Sequence, residues 1–276
     1  ERWPEICAVS LKALQDKRLN YEDATPLLFL REMLTGFQVE TGIKHVFVDE
    51  AQDYSPFQYA FIRHVFPRAN MTVLGDANQA IFLQTADSAS FTDLPELLHE
   101  DSAEVIRLMK SYRSTREIVA FTAAMLPAGS GITPFERSGE APKFIKSEND
   151  AERIVKIADD ARTLLAHGHK TIGILCKTAA ESEETFAKLN GHIEVDLITK
   201  HSLALREGAS VVPAYLAKGI EFDAVIIADG SQSAYSRENE RKLFYTACTR
   251  AMHVLHIHYT GELTLFATVP QSRSQP

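Results

Sequence analysis

Cysteine is scarce: Cys7, Cys176 and Cys248 are the only three, widely spaced and in neither a metal-ligand nor a C-x-x-C pattern. That spacing excludes a disulfide scaffold and a cysteine zinc site, and the thiols read as buried and inert in a reducing cytoplasm. Long apolar runs are missing as well. Nowhere do about 18 apolar residues follow one another, the length a bilayer-crossing helix needs, so no membrane association is expected. No charged, apolar, small-residue leader opens the chain. Positive charge is in deficit: 29 Lys and Arg face 37 Asp and Glu, for a net charge of −8. A surface broadly built to neutralise nucleic-acid phosphates is therefore excluded, and only a local basic groove is left open. The phosphate loop G-x-x-x-x-G-K-[ST] is also absent. Gly129-Ser130-Gly131 has no Lys after it, and Gly168-His169-Lys170-Thr171 has no Gly directly before its Lys, so both read as turns. His256 and His258 alternate along a strand, no carboxylate or cysteine cluster is attached to them or to His253, and no metal is assigned.

What is present centres on His45 to Gln58, H-V-F-V-D-E-A-Q-D-Y-S-P-F-Q. Val46, Phe47 and Val48 predict a short buried strand with Asp49 and Glu50 at its end. In parallel sheets ligands gather at the carboxyl ends of strands. Two acids there can divide the labour, one holding a hard cation such as Mg2+ and the other polarising a water for attack on phosphate. The same pair can equally be two acids opening a helix near Tyr54, where negative charge suits the dipole.

The rest of the chain alternates. Helical spacing covers Trp3 to Leu14 and Thr25 to Leu34, the second with Thr25 as N-cap before Pro26. A helix is expected from Pro56 to Phe66 and a strand from Met71 to Leu74, running into Gly75-Asp76-Ala77-Asn78-Gln79. Glu104 to Leu108 predicts a third strand, followed by Lys110 to Thr115 and a helix through Met125. Pro127 to Pro142 is rich in Gly, Pro and Ser and reads as a loop. Strands near residues 143, 171, 193, 210, 224 and 254, with helices from Asn149, Ala179 and Arg237, give the rhythm of a parallel sheet. Gln271 to Pro276 reads as a frayed polar tail.

Five polar segments fall in order: Asp49-Glu50-Ala51-Gln52-Asp53, Gly75 to Gln79, Ser111-Tyr112-Arg113-Ser114, Lys218-Gly219-Ile220-Glu221-Phe222 and Phe244 to Ala251. In type and spacing they resemble motifs II to VI of superfamily 1 helicases of the UvrD/Rep type. Tyr54 to Gln58, Gly75 to Gln79 and Pro213 to Gly219 look closest to the HelD branch, motor ATPases that act on bacterial RNA polymerase. The resemblance implies an α/β fold of two RecA-like parallel-sheet domains, the first incomplete, with ATP between them. It divides the chain into residues 1–110, residues 111–270 and a tail, 271–276. It also implies roles. Asp49 would hold Mg2+, Glu50 would activate water, Gln79 would sense the γ-phosphate and Tyr112 would lie against the adenine. Arg113 would reach the γ-phosphate, Lys218, Gly219 and Glu221 would bind the nucleotide, Glu221 through the ribose, and Arg250 would be the arginine finger.

Departures from the family pattern qualify this. With no phosphate loop, and with Glu1 in place of Met, the chain reads as the C-terminal part of something longer, expected to bind ATP poorly and hydrolyse hardly any by itself. Where UvrD-type helicases carry Trp-Arg-Gly-Ala after the third motif, this chain has Leu83-Gln84-Thr85-Ala86, preceded by Phe82. Pro213 and Tyr215 replace the usual Thr and His of the fifth. The first expectation is thus a HelD-type motor on RNA polymerase. Two alternatives stay open: a single-stranded DNA translocase or helicase of the UvrD type, and a non-hydrolysing interaction module.

Overall fold

The computed structural model describes residues 2–79, 103–126, 132–202 and 204–267. The expectations for residues 82–86, for the Gly129-Ser130-Gly131 turn and for the tail lie outside the described residues. The chain divides into two compact units, Glu1–Ile106 and Arg107–Pro276.

In the first unit, β1 (His45–Val48) and β2 (Asn70–Val73) pair in parallel, with Val46 opposite Met71 and Val48 opposite Val73. β1 is less buried than its apolar run suggests: Val48 packs against Ala51 and Tyr59, whereas Phe47, on the other face of the strand, is 71% exposed. Helices α1 (Trp3–Gln15) and α2 (Tyr21–Thr35) precede the pair, and α3 (Pro56–Val65) connects its strands. The start of α3 is locally encoded. Ser55 accepts from the Gln58 amide, and Gln58 returns a bond to the Ser55 amide, a reciprocal cap. α2, by contrast, starts a turn earlier than Thr25. Asp23 in its first turn accepts from Ser10 of α1 and from Asn20, so Pro26 falls inside the helix at the cost of one ladder bond. Cys7 is exposed on α1, which corrects the expectation of three buried thiols.

The second unit holds a six-stranded, all-parallel sheet. Short strands β3 (Lys110–Ser111) and β4 (Thr133–Pro134) stand apart from it as a separate pair. The large sheet comprises β5 (Lys143–Ser147), β6 (Thr171–Cys176), β7 (Val195–Leu197), β8 (Gly208–Pro213), β9 (Phe222–Ile227) and β10 (Ala251–Thr260), in the order β5-β10-β9-β6-β8-β7. Helices α4 (Arg116–Ala123) and α7 (Arg241–Cys248) cover one face through Ile118, Phe121 and Phe244. α5 (Asp150–Ala166) and α6 (Ala179–Leu189) cover the other through Ile157 and Leu189. Burial on both faces explains why β6 and β9 read as continuous apolar runs rather than alternating ones. Gly173 of β6 lies so close to Phe222 that an added Cβ would sit 2.8 Å from the ring, so any larger residue there would have to displace Phe222.

Two further expectations are corrected. Residues 104–108 form no strand: Ile106 is 73% and Leu108 90% exposed, and pairing begins only at Lys110. The helix expected from Arg237 to Arg250 is a 3-10 turn, Glu238–Glu240, followed by α7, which stops before Arg250 because the Arg250 carbonyl accepts the Phe222 amide of β9.

The β10 histidines do have a carboxylate partner, supplied by distant sequence. Asp160 of α5 accepts from His256 Nδ1 at 2.8 Å and from His258 Nε2 at 2.9 Å. Burial alone would raise the Asp160 carboxyl, but the bonds and charge of the two imidazoles outweigh it and hold it at about 2. Burial likewise pushes His258 down, against the pull of Asp160, with His256 and Arg153 of α5 as the other charges it feels. The remaining ring nitrogens, His256 Nε2 and His258 Nδ1, have no partner among the described residues, so protonation of His258 would create a buried donor with nothing to receive it. A histidine depressed in the folded state contributes stability that is complete above the unfolded value near 6.5 and declines as the pH falls below it. Asp160 adds a second loss only as the pH falls from about 4 towards 2. The melting temperature of the second unit is therefore expected to drop between about pH 7.5 and 5, read by circular dichroism. A flat profile there would contradict the neutral His258.

Candidate functional site

The first unit builds its part of the site where β1 and β2 end. Asp49, exposed at the carboxyl end of β1, accepts the Glu50 amide at 2.8 Å. Glu50 follows in the left-handed region, φ 49° and ψ 40°, one of only two described non-glycine residues with positive φ. Such a backbone costs on the order of 1–3 kcal/mol and persists where the surroundings impose it, commonly at functional positions. The surroundings here are specific. The Ala51 amide donates to the Leu74 carbonyl at 2.9 Å, and Tyr59 of α3 donates its hydroxyl to the Ala51 carbonyl at 2.8 Å.

Gln52 then joins the two strand ends. Its Nε2 donates to Glu50 Oε2 at 2.7 Å while its Oε1 accepts the Asp76 amide at 3.0 Å. Asp76 in turn accepts from Gln79 Nε2 at 2.9 Å. Glu50 and Gln79, well separated in sequence, thus belong to one hydrogen-bonded chain. Gln52 was visible in the sequence as part of Asp-Glu-Ala-Gln-Asp but carried no role there; its linking function needs β2 beside β1.

The second unit gathers three segments at the amino ends of β9 and β10. Arg113 Nε donates to Glu221 Oε1 at 2.5 Å. Ser114 Oγ donates to the Ala251 carbonyl, and the Thr115 amide to the Met252 carbonyl at 3.2 Å. Arg137 closes the group: one terminal nitrogen donates to the carbonyls of both Arg113 and Met252. Arg137 lies in the stretch that reads as loop, where composition gives no hint of a clamp. Lys218 is half-buried and Gly219, φ +80°, is exposed in the turn between β8 and β9. Tyr112 is 64% exposed.

Arg250 is buried. It is the largest fully buried side chain among the described residues, 1% exposed, with Nε donating to the Thr246 carbonyl at 3.1 Å and a terminal nitrogen to Thr249 Oγ1 at 3.2 Å. Its backbone, through the Phe222 amide, adjoins the Glu221 segment. Within the second unit, then, Arg113, Glu221 and the Arg250 main chain meet.

Chemically, the first unit offers an exposed carboxylate at a strand end followed by a second one in a constrained backbone. That donor set fits Mg2+, which takes one or two protein carboxylates and fills its other positions with water and phosphate oxygens. The second unit offers arginine donors and a carboxylate suited to phosphate and to a ribose hydroxyl.

A parallel-sheet α/β fold with acids at a strand end of one unit and an arginine cluster in the other is the architecture of RecA-like nucleoside-triphosphatase domains. Comparison with known proteins narrows this. Residues 24–96 match the UvrD/REP helicase N-terminal domain and residues 208–258 the UvrD-like helicase C-terminal domain. The chain is 36% identical to the C-terminal domain of a possible DNA helicase from Lactobacillus plantarum WCFS1, covering 58% of this chain and 95% of that one, with a TM-score of 0.51. It is 29% identical over 147 residues to the ATP-dependent DNA helicase UvrD2 of Mycobacterium tuberculosis, spanning 49% of this chain and 21% of the relative. To DNA helicase II of Haemophilus influenzae it is 24% identical over 149 residues, 52% of this chain and 20% of the relative. The chain belongs to the UvrD-like superfamily 1 helicases. It spans about a fifth of the length of these two curated relatives.

Proposed function

We propose that this chain is part of an ATP-dependent DNA helicase of the UvrD type. Asp49 holds Mg2+, Glu50 orients and deprotonates the attacking water, and Gln79 senses the γ-phosphate. Arg113 and Arg250 stabilise charge on the transferring phosphoryl group, while Tyr112, Lys218, Gly219 and Glu221 hold the nucleotide. Mg2+, when bound, neutralises phosphate charge. The observation that carries the reading is the constrained Glu50, tied through Gln52 and Asp76 to Gln79. A water-activating carboxylate coupled to a γ-phosphate sensor is what phosphoryl transfer needs, since its catalysis is positioning and charge stabilisation.

The HelD expectation, with RNA polymerase as partner, gives way to the DNA-helicase alternative, because the relatives and the solved domain compared above bear DNA-helicase names. Two of the three segments that resemble HelD, Tyr54 to Gln58 and Pro213 to Gly219, also carry local folding signals. Ser55 and Gln58 cap α3, and the Pro213 carbonyl accepts the Leu216 and Ala217 amides in a tight turn. The non-hydrolysing alternative is disfavoured by the retained carboxylates and arginines. No helix among the described residues is long and apolar enough to cross a membrane.

With no phosphate loop in its sequence, the chain alone is expected to turn over little ATP. The test therefore uses the longest reading frame that contains it. Single-stranded DNA is expected to stimulate ATP hydrolysis, and fluorescence anisotropy should show oligonucleotide binding that weakens as salt rises. ATP hydrolysis indifferent to DNA, with no binding even at low salt, would overturn the reading.

A further inference from the structure

The β3–β4 pair joins neither of the other sheets, yet its surroundings are built with care. Lys110 pairs with Thr133 and Ser111 with Pro134, and the ladder is continued by the Thr133 amide to the Met109 carbonyl and the Phe135 amide to the Ser111 carbonyl, both 2.9 Å. The residue after each strand is aromatic: Tyr112 follows β3 and Phe135 follows β4. Their rings lie 5.1 Å apart between centroids at an interplanar angle of 37°, and they are 64% and 40% exposed. Lys110 reaches back over both, its Nζ 5.8 Å from the Tyr112 centroid and 5.1 Å from that of Phe135.

Two large rings that pack on each other and still stay 64% and 40% exposed forgo part of the stabilisation that full burial would return. The little ladder and the Arg137 clamp hold them there nonetheless, next to Arg113 and its Glu221 partner. An aromatic face kept exposed beside an arginine and a carboxylate suits a flat heteroaromatic ring that carries ribose and phosphate. A single-stranded nucleic acid would offer the same kind of ring, but the adjacency to Arg113 and Glu221 favours the nucleotide.

We propose that Phe135, with Lys110, extends Tyr112 into a shelf on which the base of a bound adenine nucleotide lies. This rests on the nucleotide reading of the Arg113 and Glu221 site. Phe135 supplies a second stacking face, and Lys110 supplies a cation within reach of both rings and of an approaching phosphate.

Saturation-transfer NMR on the 276-residue chain with ATP tests this, because the method reads weak binding. Adenine H2 and H8 should receive strong transfer in the wild type. Phe135→Ala should weaken ATP binding about tenfold, within the range of one base–aromatic stack, and selectively diminish the H2 and H8 signals. Phe135→Tyr should restore both. Because Phe135 is exposed, the melting temperature of Phe135→Ala serves as a control that should barely move. Unchanged ATP affinity and base signals in Phe135→Ala would overturn the shelf alone, whereas a wild-type chain that gives ATP no transfer would overturn the nucleotide reading with it. A third arm uses labelled oligothymidylate. If Phe135→Ala loses oligothymidylate binding and keeps ATP binding, the rings serve nucleic acid and the proposal is wrong.

Discussion

Glu50→Gln is expected to leave nucleotide binding intact and to lower ATP turnover by about 10²–10⁴, the usual contribution of a positioned general base. The substitution is close to isosteric, and a Gln side-chain oxygen can still accept the bond that Gln52 now gives to Glu50. The link through Asp76 to Gln79 should therefore survive, and the left-handed backbone with it. What disappears is the carboxylate's capacity to take a proton from water. The loss should fall on kcat rather than on KM, as for an interaction made chiefly in the transition state. Steady-state ATPase assays on the longest reading frame, with nucleotide binding measured alongside, decide it. A variant that keeps wild-type turnover would remove Glu50 from the mechanism.

Arg250→Ala is expected to do two things at once. A finger arginine is worth about 10³ or more in rate, so turnover should collapse. The same side chain is almost fully buried and satisfies the Thr246 carbonyl, so its removal should also lower the melting temperature of the second unit. Arg250→Met separates the two effects, because the apolar stem keeps much of the packing and the guanidinium is lost. Turnover should stay low in Arg250→Met while stability partly recovers. A phosphate bound by the guanidinium would perturb the threonines it contacts, so addition of a nonhydrolysable ATP analogue should change the environment of Thr246 and Thr249 by NMR. Near wild-type turnover in Arg250→Met would make Arg250 a structural residue and withdraw the finger assignment.

Much of the second unit was legible in the residue order, because a strand buried on both faces or a capped helix is written in a few neighbouring side chains. β6, β9 and α6 stand within about a turn of their expected bounds for that reason. The same local reasoning fails where the pattern has no partner. Val105, Ile106 and Leu108 read as part of a strand, yet all three lie exposed and pair with no strand among the described residues.

The candidate site shows the same division. The resemblance of five ordered segments to superfamily 1 helicase motifs marked Asp49, Glu50, Gln79, Tyr112, Arg113, Glu221 and Arg250 as a set. Only the tertiary structure decided which of them touch. It buried Arg250, paired Arg113 with Glu221 across 108 positions, and made Gln52, Phe135 and Arg137 part of the arrangement. It also brought Asp160 to His256 and His258, 96 and 98 positions away. The physical reason is range: periodicity, caps and strand ends are properties of adjacent residues, whereas a hydrogen bond between distant segments exists only once the parallel sheet has set their register.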